Sequence, residues 1–156
     1  MHIPPRGVTQ TPCAHGHAQM RHAGVTPNVV TFNALFTACE KAGQWERAVD
    51  IFPQMRESGV EPNVITYTTV LSACARGSQW ERVDDYLHSM QRLGLEPTTV
   101  TYNALIAQCE RKKEWERAAQ FFQRMEAEGL ERDVATYTSL IGACATEVSA
   151  RTSAAR

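Results

Sequence analysis

Residues 29–63 read VVTFNALFTACEKAGQWERAVDIFPQMRESGVEPN, and this stretch decides the fold because it recurs at a fixed period of 35 residues. Further copies occupy 64–98 and 99–133; a fourth starts at 134 and its match fades after Cys144. The pattern also reaches backwards, since AQMRHAGVTPN at 18–28 falls on PQMRESGVEPN at 53–63 without a gap. Among the positions that keep one residue in all three full copies are Thr31/Thr66/Thr101, Cys39/Cys74/Cys109, Trp45/Trp80/Trp115, Arg47/Arg82/Arg117 and Gly59/Gly94/Gly129. A helical repeat of 34 residues would drift by about three residues over these copies, and no drift is seen.

Each unit carries two helical periods. Phe32, Leu35, Phe36 and Cys39 fall at i, i+3, i+4 and i+7, an apolar stripe repeated by Tyr67, Val70, Leu71, Cys74 and by Tyr102, Leu105, Ile106, Cys109. A second stripe runs Trp45, Ala48, Val49, Phe52, Met55 and returns as Trp115, Ala118, Ala119, Phe122, Met125. Helices are therefore expected near 30–42 and 45–58, joined by a turn at Gly43 and packed antiparallel. Asn28, Asn63 and Asp133 stand as N-caps of the first helices. Gly59, Gly94 and Gly129, each followed by an aliphatic residue, close the second helices. Two residues break the local rules: Pro53 sits inside the first unit's second helix, and Asp84 holds the stripe position of Val49 and Ala119.

The resulting architecture is an all-α solenoid with a core shared between neighbouring units. Its expected parts are an irregular tail at 1–17, a partial unit at 18–28, full units at 29–63, 64–98 and 99–133, a partial unit at 134–145 and a polar tail at 146–156. With 16 basic and 17 acidic residues, total charge argues for no anionic partner, so charge distribution has to decide. Cys39, Cys74, Cys109 and Cys144 lie one repeat apart, beyond the roughly 7 Å between Cα atoms that a disulfide spans, and read as buried small apolar groups. Cys13, His15, His17 and His22 invite a zinc reading, but their close, glycine-interrupted spacing fits no closed site, and a solvated tail is the simpler account. No apolar run is long enough to span a membrane, and the pattern implies neither a cofactor nor a small-molecule substrate. The first 39 residues lack Asp and Glu, as transit peptides do, although Pro4, Pro5 and Pro12 spoil an amphipathic helix there.

The opening V-[VI]-T-[FY]-[NT]-x-[LV] and the closing M-x-x-x-G-[VL]-E-P of the unit, from which the third copy departs at Thr99 and Arg132, resemble the pentatricopeptide repeat family. The resemblance implies a right-handed superhelix that binds single-stranded RNA, one base per unit read by two or three side chains. Members are typically organellar, in chloroplast or mitochondrion, where they stabilise, process, edit or help translate transcripts. Carried onto this chain, the base-reading pairs would be Asn33 with Asn63, Thr68 with Thr98, and Asn103 with Asp133, with Thr138 opening a fourth pair that lacks its partner. By the family's code, Asn with Asp favours uracil, Asn with Asn favours cytosine over uracil, and Thr in the first place leans to purine. Val30, Ile65, Val100 and Ala135 match the position that flanks bases, for which ordinary packing between units is the alternative. Lys41, Arg76 and Arg111 match the phosphate-facing position, with Lys112 and Lys113 beside them. Acidic Glu46, Glu81 and Glu116 would then lie on an outer face. No nuclease-type or deaminase-type pattern is present, so catalysis would come from a protein partner or from a further part of the protein. The rival class is a helical scaffold that holds a peptide in the same groove.

Overall fold

The computed structural model describes residues 24–154; the tail at 1–17, most of the partial unit at 18–28 and the Cys13/His15/His17/His22 group lie outside the described residues. Seven helices follow one another there: α1 (Val29–Ala42), α2 (Trp45–Glu57), α3 (Val64–Arg76), α4 (Trp80–Arg92), α5 (Thr99–Lys112), α6 (Trp115–Ala127) and α7 (Val134–Ala154). First helices begin at 29, 64, 99 and 134 and second helices at 45, 80 and 115, so the 35-residue period of the text is the period of the backbone. The first helices stack as a continuous row, α1 on α3 on α5 on α7, while α2, α4 and α6 each pack against their own unit's first helix.

The helix ends follow from single residues. Asn28 Oδ1 accepts the Thr31 N–H at 3.0 Å, and Asn63 Oδ1 accepts the Thr66 N–H at 2.9 Å. At the other end, Gly59 adopts φ 73°, and the following Val60 N–H reaches back to the Met55 carbonyl at 3.1 Å. The turn between helices needs the same left-handed residue, supplied by Gly43 in the first unit but by Ser78 (φ 57°) and Lys113 (φ 62°) in the next two. Gly77 is glycine for another reason. Its φ is ordinary, but a Cβ there would stand 2.2 Å from Cδ1 of Trp45 in the preceding unit.

The core is the first-helix stripe. Phe32, Phe36, Tyr67, Leu71, Tyr102 and Ile106 are all buried, each burial contributing about 1.5–3 kcal/mol. Phe52 meets Tyr67 and Tyr86 edge-on at 5.2 and 5.0 Å, tying the first unit's second helix to both helices of the next. The third unit departs from the expected stripe: Phe121 takes the deep place, against Trp80 and Tyr102, while Phe122 stays half-buried against Tyr137. Among the described residues no further second helix stands where Phe122 would find an equivalent of Tyr86.

Both rule-breaking residues are accommodated at the surface. Helix α2 runs on through Pro53, which is exposed, and Asp84 forms an exposed ion pair with Arg124 at 2.9 Å. The expected polar tail after 145 differs more: α7 continues without a turn to Ala154. Val148 occupies the position of Gly43, Ser78 and Lys113, and a β-branched residue resists the left-handed conformation that would end the helix.

Candidate nucleic-acid interface

The first turn of each first helix places an aliphatic side chain where packing does not claim it. Val30, Ile65 and Val100 remain 69, 63 and 68% exposed, although each is flanked by residues that pack into the core. Packing between units, the alternative for this position, would have covered them. Ala135 continues the row on α7 and is exposed as well. One exposed aliphatic group per unit, at the same position of each, makes a small apolar surface that repeats along the stack.

Beside each aliphatic residue lies the polar pair expected from the sequence, and the structure brings the two members of every complete pair together. Asn103 Nδ2 donates to both carboxylate oxygens of Asp133, at 3.1 and 3.2 Å. Asn33 and Asn63 meet through a third residue, because the Thr66 hydroxyl lies 2.7 Å from Asn33 Oδ1 and 2.9 Å from Asn63 Oδ1. Thr68 and Thr98 are likewise joined through Thr101, whose hydroxyl is 2.8 Å from one and 3.4 Å from the other. Thr136 repeats the arrangement at 2.6 Å from Asn103 Oδ1 and 2.9 Å from Asp133 Oδ1. Thr138, exposed on α7, turns its hydroxyl onto the Val134 carbonyl. Capping and pairing coexist: Asn63 and Asp133 each accept a backbone N–H of the helix they start while facing the preceding unit. The threonine linking them was visible as an invariant letter, but periodicity gave it no chemistry.

The pair at Asp133 carries a fixed charge. Its carboxyl is held below the ordinary 3.8, first by the Thr136 backbone N–H, then by the Thr136 hydroxyl, with the Asn103 amide adding to them. The third unit therefore presents a carboxylate at neutral pH, and the first unit presents only neutral amides.

The basic row requires a correction. Lys41 and Arg111 are exposed at the ends of α1 and α5, but Arg76 is half-buried and donates from Nη1 to the Glu40 carbonyl at 2.8 Å. That carbonyl, in the last turn of α1, also accepts the Gly43 N–H at 3.0 Å, so Arg76 adds a second, charged donor to the end of the neighbouring unit's helix. Glu40 sits in the same corner, accepting from the Ser72 hydroxyl at 2.6 Å, so the row is less purely basic than the sequence implied. The recurring tryptophan and arginine join second helices. Arg82 lies over the Trp45 ring at 5.7 Å and Arg117 over Trp80 at 5.1 Å.

Cys39, Cys74 and Cys109 are buried and unbridged, and burial pushes the Cys74 thiol up to about 11 and the Cys109 thiol to about 12. Cys144, expected to be buried with them, is exposed, because no described helix covers that face of α7. Among the described residues no group of three His, Cys, Asp or Glu side chains could hold a metal ion, and no helix is long and apolar enough to cross a membrane.

Stacked two-helix units with one linked polar pair and one exposed aliphatic group each define a helical-repeat solenoid with a periodic polar and aliphatic face. The model of the PPR repeat family matches residues 27–76 and 97–146, and that of the PPR repeat matches 65–95; the chain belongs to the pentatricopeptide repeat family. No curated protein matches it. Among solved structures it resembles pentatricopeptide repeat protein PPR10 in complex with an 18-nt psaJ RNA element, at TM-score 0.72 and 29% identity over 86% of this chain. It resembles PPR10 from maize at TM-score 0.69 and 30% identity over 84%. The PPR domain of Arabidopsis thaliana protein-only RNase P 1, solved with tRNA, shares the fold at TM-score 0.70 and 20% identity, over 89% of this chain and 74% of that one. The chain spans 20% of the length of the PPR10 chains it matches.

Proposed function

We propose that this chain binds single-stranded RNA, each unit taking one base between the exposed aliphatic residues and reading its edge with the polar pair. The observation that carries this reading is the row Val30, Ile65, Val100, left in solvent at one position per unit beside linked polar pairs. The RNA-bound state of PPR10, to which this chain is 29% identical, supports it.

The hydrogen bonds suggest which base each unit prefers. In the first unit both amide oxygens point to Thr66, leaving two amino groups to donate; cytosine offers adjacent acceptors at N3 and O2. In the third unit the Asn103 amino group stands beside an acceptor-only carboxylate, a donor and acceptor that match a uracil carbonyl and its N3–H. The second unit offers two hydroxyls of undetermined polarity and should discriminate least. Lys41 and Arg111 would contact phosphates without specifying bases. Following the family, the bound segment would be an organellar transcript, stabilised, processed or translated, with catalysis supplied by a protein partner.

Fluorescence anisotropy with 12-nucleotide RNAs, pyrimidine-rich and purine-rich, across a salt series tests the reading. Binding that favours pyrimidine at the first and third positions and weakens with salt is expected. Absence of RNA binding, with binding of a peptide instead, would turn the assignment to the scaffold class.

A further inference from the structure

The Asn33–Asn63 pair does not orient itself. We propose that Thr66, one of three buried threonines with Thr101 and Thr136 in the first turns of first helices, is the positioning residue that sets the polarity of that pair; this rests on the RNA-reading assignment above.

These hydroxyls cannot touch a ligand, since Thr66, Thr101 and Thr136 are 0, 1 and 0% exposed. Each nevertheless reaches both members of a pair. The pair spans a unit boundary: one member belongs to the first helix of a unit, the other starts the next helix, and the threonine belongs to that next helix. In the first pair the Thr66 hydroxyl accepts the Asn63 backbone N–H at 3.2 Å, and its single proton has two acceptors, Asn33 Oδ1 at 2.7 Å and Asn63 Oδ1 at 2.9 Å, of which Asn33 is the nearer. An asparagine amide presents a donor or an acceptor depending on which way it is turned, and the two orientations are nearly isosteric. Holding Oδ1 inward fixes Nδ2 outward, so a buried hydroxyl decides that Asn33 donates to the base. Without it the amide turns freely and offers either edge.

The third unit is held differently, and this gives the proposal its internal control. Asn103 Oδ1 accepts from Thr136 at 2.6 Å, but its Nδ2 is also fixed on the Asp133 carboxylate, which only accepts. There the carboxylate suffices to orient the amide. At the second pair, Thr68, Thr101 and Thr98 are three hydroxyls in series, any of which could donate, so no polarity is imposed.

The test uses the whole chain and two sets of 12-nucleotide RNAs, one differing as C or U at the base facing the first unit, the other at the base facing the third. Thr66→Val keeps the shape and removes the hydroxyl; the C-over-U preference at the first unit should fall about fivefold, the equivalent of one orienting hydrogen bond. Affinity for the RNA carrying U there should change less than the preference does. Thr66→Ser, which restores the hydroxyl, should restore the preference. Thr136→Val should leave the third unit's preference within about twofold, because Asp133 still holds Asn103. A Thr66→Val protein that binds both RNAs more weakly by the same factor would show a merely structural role and overturn the proposal, as would equal losses of preference at the two sites. A parent protein that binds these RNAs without any preference overturns it too, while one that binds none of them refutes the RNA reading itself. If Thr66→Val does not fold, NMR of the parent decides: a Thr66 hydroxyl proton protected from exchange with water is expected, and one that exchanges as in free threonine overturns the assignment.

Discussion

Replacing Arg76 by Gln separates the roles that one recurring basic position plays in this molecule. If Lys41, Arg76 and Arg111 were equivalent phosphate contacts, each would contribute about −0.7 to the slope of log affinity against log salt, about −2 in all. In the structure the Arg76 guanidinium is turned onto the Glu40 carbonyl at 2.8 Å, and the expectation is that, so engaged, it contributes no phosphate contact of its own. The parent slope should therefore lie near −1.4, the value for two contacts. A charge-assisted hydrogen bond is worth about 1.5–3 kcal/mol, and with the side chain partly in solvent about 1–2 kcal/mol is the expected cost of Arg76→Gln. That loss falls on the interface between the first two units, which shares its core across the boundary. Lys41→Gln and Arg111→Gln, at exposed sites, should alter stability by no more than about 0.5 kcal/mol while each removes about 0.7 from the slope. Urea denaturation and RNA anisotropy in parallel measure both quantities. A folded Arg76→Gln protein of parental stability, with its slope reduced as much as by Lys41→Gln, would refute the capping role.

Three further outcomes follow from the same geometry. Asp133→Asn removes the acceptor-only partner of Asn103 and keeps a helix cap, so the third unit's preference should move from uracil toward cytosine by about tenfold; an unchanged ratio of affinities for the two RNAs would reject the pair as readers. With thiols raised to about 11 and 12, Cys74 and Cys109 stay protonated in the folded protein at pH 9–10, where an unfolded chain ionises; stability should fall as pH rises above 9, and a thiol reagent should label exposed Cys144 well before either, as peptide mapping would report. Gly77→Ala, at the C-cap of α3 where the backbone suits alanine, gains about 0.4–1 kcal/mol from a less flexible unfolded chain but drives a methyl into the Trp45 ring, an overpacking cost of about 1–3 kcal/mol, so a net loss on urea denaturation with altered tryptophan fluorescence is expected and a net gain would contradict it.

The sequence alone determined the unit, its two helices and the stripe that becomes the core, because hydrophobic periodicity and helix-ending glycines act within a few turns of chain. Which residues form the polar pairs came from the resemblance to the pentatricopeptide repeat family, carried onto the repeat position by position. What the sequence left open were matters of direction. Arg76 and Arg111 are the same letter at the same position, yet one turns back to a carbonyl of the neighbouring unit and the other faces solvent. Val148 stands in a turn position, and the helix runs on past it to Ala154. Thr66 was one invariant letter among eight; only stacking two units puts its hydroxyl between Asn63, three residues before it, and Asn33, 33 residues before it. Periodicity fixes which residues are equivalent, but the orientation of a guanidinium or an amide is set by hydrogen-bond partners that arrive from the adjoining unit, and those exist only in the assembled stack.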